Sequence, residues 1–135
     1  MGLIMGRKKL SDGSNPAVTS IPVASTGNKY TTAIDISRGT NFSLKLKATS
    51  SGTIDVLVKL EQGHVVPDTE GASDVKYVTP EGVSNIINLT DGNWHEIALS
   101  PIAAKFMRLL LDGQGSNHAS TVVEGYLTVQ EETNL

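Results

Sequence analysis

At 135 residues the chain is long enough for one domain that buries roughly two-thirds of its unfolded surface, so a single core suffices. The absence of cysteine excludes disulfides, thiolate metal sites and a cysteine nucleophile. A formal net charge of −3 gives no overall basic field for nucleic acid or an anionic membrane, and no apolar run approaches the roughly 20 residues that span a bilayer.

Taken in chain order, residues 1–20 open with Gly2, Leu3, Ile4 and Met5, continue with Arg7, Lys8, Lys9 and Leu10, and pass into the turn formers Ser11, Asp12, Gly13, Ser14, Asn15 and Pro16. They show no periodicity and predict an extended N-terminal arm ahead of a β-sandwich domain over 21–135. The basic residues follow the apolar run, the reverse of a secretory leader, which points to use inside the cell that makes the protein or to release by lysis. On charge alone the three cations suit a solvated, disordered leader; joined to Leu3, Ile4, Met5 and Leu10 they also suit an arm that orders when its apolar side chains enter a neighbour's groove.

Residues 21–23 predict a short edge segment, because Pro22 cannot donate to a ladder. Residues 30–36 then lead to the strongest signal in the chain. Phe42, Leu44, Leu46 and Ala48 alternate with Ser43, Lys45 and Lys47; after Ser50, Ser51 and Gly52, the residues Ile54, Val56, Val58 and Leu60 alternate with Asp55, Leu57 and Lys59. A period of two buries one face of a strand, and the two stripes predict an antiparallel hairpin. Residues 62–74 read as a loop long enough to contact something else.

Residues 75–78 and 86–89 predict further short strands, and Thr90, Asp91, Gly92 and Asn93 a tight turn before a strand over 94–99. One helical turn is expected at 101–104. The nearly continuous apolar run at 106–111, broken by Arg108, predicts a central strand buried on both faces. Val122 to Val129 alternates again and closes the domain. Strands separated by Gly, Asn, Asp and Ser turns, with no helix of ordinary length, define an all-β two-sheet antiparallel sandwich of jelly-roll type.

No set of residues announces a reaction, and the chain reads as a non-enzyme without cofactor or metal. His64, His95 and His118 lack ligand spacing. Serine and threonine are plentiful but form no Gly-x-Ser-x-Gly elbow. Asp55, Glu61, Glu96 and Glu124 fall on polar faces, where solvation explains them. The glycines at 113 and 115 precede a strand rather than a helix and mark a hairpin loop. The acceptor patterns at Asn41 and Asn88 are idle without a secretory signal. A sugar-binding platform would need exposed rings from Trp94, Tyr30, Tyr77, Tyr126, Phe42 or Phe106; Phe42 and Phe106 hold core positions, and Trp94 is expected to pack across the sandwich.

The segment from Ser51 to Val56 leading to Leu60, Glu61 and Gln62, the Phe106 to Leu109 strand, and Gly115, Ser116 and Asn117 leading to Thr121 through Leu127 together resemble the small β-sandwich structural proteins of tailed bacteriophage virions, especially head-decoration proteins. The likeness spans about residues 30–131. It implies a capsid-stabilising role at the capsid surface, with assembly in the host cytoplasm, the major capsid protein or other virion subunits as partners, and a homotrimer as the natural form. The resemblance also implies that the arm clasps the shell, through Leu3, Ile4, Met5, Arg7, Lys8, Lys9 and Leu10. Alternatives are a tail or neck protein of the same fold, and a carbohydrate-binding module or receptor-binding domain, which predicts an exposed aromatic platform around Trp94, Tyr77 or Tyr126.

Overall fold

A computed structural model describes residues 2–80, 85–99 and 104–133, the side chains of 2–4, 85 and 132–133 excepted. Ten strands follow in order: β1 (Gly2–Lys9), β2 (Ile21–Pro22), β3 (Gly27–Tyr30), β4 (Ile34–Asp35), β5 (Gly39–Thr49), β6 (Val56–Gly63), β7 (Asn85–Leu89), β8 (His95–Leu99), β9 (Phe106–Gly113) and β10 (Val122–Thr133). One sheet has the order β1-β10-β5-β8 with β2 also on β10, the other β3-β9-β6-β7 with β4 also on β9, and every pairing is antiparallel. β1 pairs with β10, β3 with β9, β5 with β8 and β6 with β7, a nested set that is one long hairpin rolled into two sheets. This is the jelly-roll order. The expected all-β sandwich is the observed fold, and the described residues contain no helix.

Alternation builds the core from both sides. Leu44, Leu46 and Ala48 of β5 and Val123, Leu127 and Val129 of β10 face Val56, Val58 and Leu60 of β6 and Met107, Leu109 and Leu111 of β9, all essentially inaccessible to solvent. Apart from the small Ala48, each such side chain contributes about 1.5–3 kcal/mol of burial. Leu10, Ile21, Val23 and Ile36 join the same cluster.

The hairpin expected between the two strongest stripes is corrected. β5 and β6 lie in opposite sheets, and residues 50–55 cross from one to the other. That crossing is bound to the β9–β10 connection by Asp55 N to Asn117 Oδ1 at 3.0 Å, Gln114 N to Asp55 O at 2.9 Å and His118 N to Thr53 O at 2.8 Å. Alternation reports which face is buried, and two strands facing one core from opposite sides look like two arms of a hairpin. The connection at 113–117 likewise joins strands of different sheets, where a hairpin loop was expected.

The extended arm at 1–20 is corrected as well. Gly2–Lys9 pairs over its whole length with β10, from Gly2 opposite Thr133 to Lys9 opposite Tyr126, and Leu10 donates its amide to Gly125 O at 2.9 Å while its side chain is 1% exposed. Asp12 is buried too, held by Lys29 Nζ at 3.0 Å and accepting the Ser14 amide. Without β1, the outer ladder groups of β10 would face solvent, and pairing satisfies them.

β9 is buried on both faces, as expected, because residues after β6 fold back over the outer side of their own sheet. Arg108 is 1% and Leu110 8% exposed. The Arg108 guanidinium lies 4.1 Å from the Tyr30 ring centroid and 4.7 Å from that of Tyr77, and its Nη1 donates to Ala72 O at 2.8 Å. The loop at 62–74 thus covers its own sheet. Within 75–78, where a strand was expected, only Val78 bridges, to Gln62. Gly71 has φ +83, and there its backbone passes so close to Gly13 that a Cβ on Gly13 would sit 2.7 Å from the Gly71 nitrogen. The helical turn expected at 101–104 lies outside the described residues except for Ala104.

Candidate functional site

The register of β1, β10, β5 and β8 sets the outer face of their sheet. Lys9, Tyr126, Lys45 and Glu96 stand in one cross-strand row, and Arg7, Thr128, Ser43 and Ala98 in the next. These positions alternate with buried Leu44, Leu46, Leu127 and Val129, so they project away from the core. Beside them stand Lys47 and Glu124, opposite one another.

Trp94, immediately before β8, lies against this face rather than across the sandwich interior. It is 44% exposed, and its ring stacks on Tyr126 with centroids 6.2 Å apart and planes inclined by 26°. Arg7 Cζ is 4.3 Å and Lys9 Nζ 5.9 Å from the Tyr126 centroid, and Lys47 Nζ is 5.8 Å from that of Trp94. The arrangement joins two rings to three cations, each within cation–π range. Asp91 positions the indole through its two neighbours: Oδ1 accepts the Asn93 amide at 3.0 Å and lies 2.9 Å from His95 Nε2. Those contacts, the amide first, hold the Asp91 carboxyl below the usual aspartate range.

Further along β10 the face dips into a hollow of about 210 Å³ lined by Met5, Asn41, Phe42, Ser43, Thr128 and Gln130. Asn41 Nδ2 donates to Gln130 Oε1 there at 2.7 Å. A second hollow, about 340 Å³, lies near Pro22, Thr26, Asn28 and Ala119 and has no aromatic ring in its lining.

The residues expected to grip a partner part company in the sheet. Met5, Arg7 and Lys9 are exposed on the Tyr126 side, Met5 by 67%. Lys8 is half-buried on the alternate position, and Leu10 belongs to the core, which corrects its place in a partner-binding set. Leu3 and Ile4 are strand residues whose side chains lie outside the described ones. His64 and His118 are exposed in loops, and no group of three His, Asp or Glu suited to a metal occurs among the described residues. Glu96 and Glu124 share the Tyr126 face, Glu61 is on the opposite sheet with Arg108, and Asp55 is in the crossing segment next to Ser116.

Sequence reasoning missed the Trp94–Tyr126 stack, although Tyr126 sits at an outward position of the alternating strand. Trp94 precedes its strand, where period two no longer dictates direction. Three cations on alternate positions of two strands, Arg7 with Lys9 and then Lys47, were the available signal.

The class of protein this topology defines is a two-sheet antiparallel β-sandwich with jelly-roll strand order. No protein-family model and no curated protein matches the sequence. Among solved structures, the chain is similar to the family 32 carbohydrate-binding module of C. perfringens NanJ in complex with galactose, at 13% identity over 94% of this chain and 93% of that one, with a TM-score of 0.38. It is also similar to part of the catalytic domain of GH87 alpha-1,3-glucanase in complex with nigerose, at 10% identity over 98% of this chain and 27% of that one, with a TM-score of 0.34.

Proposed function

We propose that the protein is a non-catalytic carbohydrate-binding module whose ligand stacks on Trp94. The carrying observation is the 44% exposed indole held against Tyr126 on a sheet face with cations around it. Sugar rings present a flat patch of C–H groups to such a surface, and the surrounding side chains supply donors for hydroxyls. Tyr126 stacks against the indole, and Asp91 fixes the residues on both sides of it, so little order has to be acquired on binding. Because Trp94 is the sole tryptophan, its fluorescence reports the site directly. Titration with a glycan panel should change that emission for a subset of glycans, and Trp94→Ala should abolish retention on them; an unchanged glycan profile in the variant would remove this reading.

A virion role is the second reading, and the exposure of Met5, Arg7 and Lys9 on one side of β1 favours it. A capsid subunit would then cover the same face, and repetition over a lattice would multiply modest contacts. Co-sedimentation with expanded phage capsids, absent any glycan response, is the result that would select it.

A further inference from the structure

We infer that the ligand is an acidic saccharide and that its carboxylate is read by Arg7, with Lys47 and Lys9 as supporting charges. The inference rests on the carbohydrate-binding reading of the same face and adds to it the chemical class of the sugar.

The concentration of cations on one sheet face carries the argument. Lys29, Lys59, Lys76 and Arg108 each have a carboxylate within 4.0 Å, and none of the four lies on the outer face of the β1-β10-β5-β8 sheet. Arg7, Lys9, Lys45 and Lys47 do lie there, and among the described residues none of them forms an ion pair; Lys8, on the alternate position of β1, and Arg38 and Lys105, in connections, have none either. Glu96 and Glu124 stand opposite Lys45 and Lys47 in register, yet no ion pair joins either couple. A protein with net charge −3 has thus placed four cations against two carboxylates on the face that carries the Trp94–Tyr126 stack, a local excess of positive charge. Such a cluster repels itself and gains from an anion that enters it.

Arg7 supplies the fork that a carboxylate on the stacked sugar would meet. Its planar guanidinium is engaged by the Tyr126 ring through Cζ at 4.3 Å, and no hydrogen bond to its nitrogens occurs among the described residues. The N–H groups along its edge are therefore open to a planar, two-oxygen acceptor, the geometry in which Arg and carboxylate pair in parallel. A stacked ring on Trp94 with its carboxylate towards Arg7 uses both halves of the site. The 210 Å³ hollow beside Met5, Ser43 and Thr128 continues along β10 and can receive the next sugar of a chain.

The test measures Trp94 quenching by polygalacturonate, alginate and hyaluronan, each against its carboxyl-esterified form, with dextran sulfate and oligothymidylate alongside. The expected result is binding to at least one uronate polymer about tenfold or more tighter than to its ester, since a charge-assisted hydrogen bond contributes about that factor. Binding should weaken with added salt, and Arg7→Ala should erase the preference for the free acid, Arg7→Lys should retain part of it, and Lys105→Ala should leave it unchanged. Equal binding of acid and ester, or a preference unchanged in Arg7→Ala, overturns the inference but leaves the module reading standing. Tighter binding of dextran sulfate or oligothymidylate than of every uronate overturns the carboxylate assignment. Loss of response to every saccharide, acidic and neutral, overturns the module reading itself.

Discussion

Arg108 on β9 and Glu61 on β6 stand directly opposite one another, and Arg108 Nε donates to Glu61 Oε1 at 2.9 Å beneath the covering loop. Arg108 Nη2 lies 2.9 Å from the same oxygen, at an angle unsuited to a hydrogen bond, so a single N–H carries the contact between the two side chains. Glu61→Ala leaves the guanidinium buried between Tyr30 and Tyr77 without its counter-charge. It should destabilise the fold by about 3–5 kcal/mol, measured by urea unfolding. The double change Glu61→Leu with Arg108→Met removes both charges and should recover most of that loss; equal destabilisation in single and double variants would show that packing, not charge pairing, holds the loop.

The same pair gives a pH signature. Burial, outweighing the pull of Arg108, raises the Glu61 carboxyl above its ordinary value, so the folded state holds that proton more tightly than the unfolded state. Stability therefore falls as pH rises from the unfolded glutamate value, about 4.3, through the raised one. Asp35, Asp74 and Asp91 have the opposite sign. Donors from Ser37, from the Asp68 and Lys76 amides, and from Asn93 with His95 lower them, and their contribution is present above about pH 3.9 and lost as pH falls below it. The urea midpoint should rise from pH 2 to about 4 and then decline; Glu61→Gln should remove the decline, and a midpoint that keeps declining in that variant would assign it elsewhere.

Removing residues 1–10 tests the edge strand. The structure predicts a fall in melting temperature of about 10 °C or more, because the loss of buried Leu10 alone corresponds to a large-to-small core change and β10 loses its partner. A truncated protein with unchanged melting temperature would show that β1 is detachable.

Gly125 occupies an inward position of β10 between Val123 and Leu127, where a Cβ would strike the Lys45 carbonyl and come 2.8 Å from Leu46 Cδ2 and 3.3 Å from Leu10 Cδ1. Gly125→Ala should cost about 3 kcal/mol, since a backbone carbonyl cannot swing aside as a side chain can. A variant as stable as the parent in thermal unfolding would mean that β5 and β10 have room to separate.

Trp94→Ala should separate binding from folding. The ring is too exposed to support the core, so unfolding should shift by no more than about 1 kcal/mol, while any saccharide affinity falls about thirtyfold or more. Parallel losses in both measurements would make Trp94 structural.

The stripes at Leu44, Leu46 and Ala48, at Val56, Val58 and Leu60, and at Val123, Leu127 and Val129 were legible because alternation dictates a buried side wherever one face of a strand meets a core. The run at 106–111 was legible as a doubly covered strand because it does not alternate, which a strand with both faces buried has no need to do. Arg108 within it was not legible as the anchor of a loop, since its partners Tyr30, Tyr77 and Glu61 come from three distant segments. Tyr126 could be placed outward from its strand. Its stack with Trp94 could not be placed, because the indole's direction depends on a turn clamped by Asp91.

By itself the sequence determined that the chain is all-β and which side chains of its alternating stripes enter the interior, and it offered no ready-made catalytic or metal motif. Only the tertiary structure decided that β5 and β6 belong to opposite sheets, that residues 2–9 complete a sheet instead of trailing from it, and that Arg7 and Lys9 meet Tyr126 while Lys47 meets Trp94. The reason is that a period of two is local and names a face. The neighbour on that face is chosen by antiparallel pairing between segments as far apart as Arg7 and Thr128, for which one strand alone carries no signal.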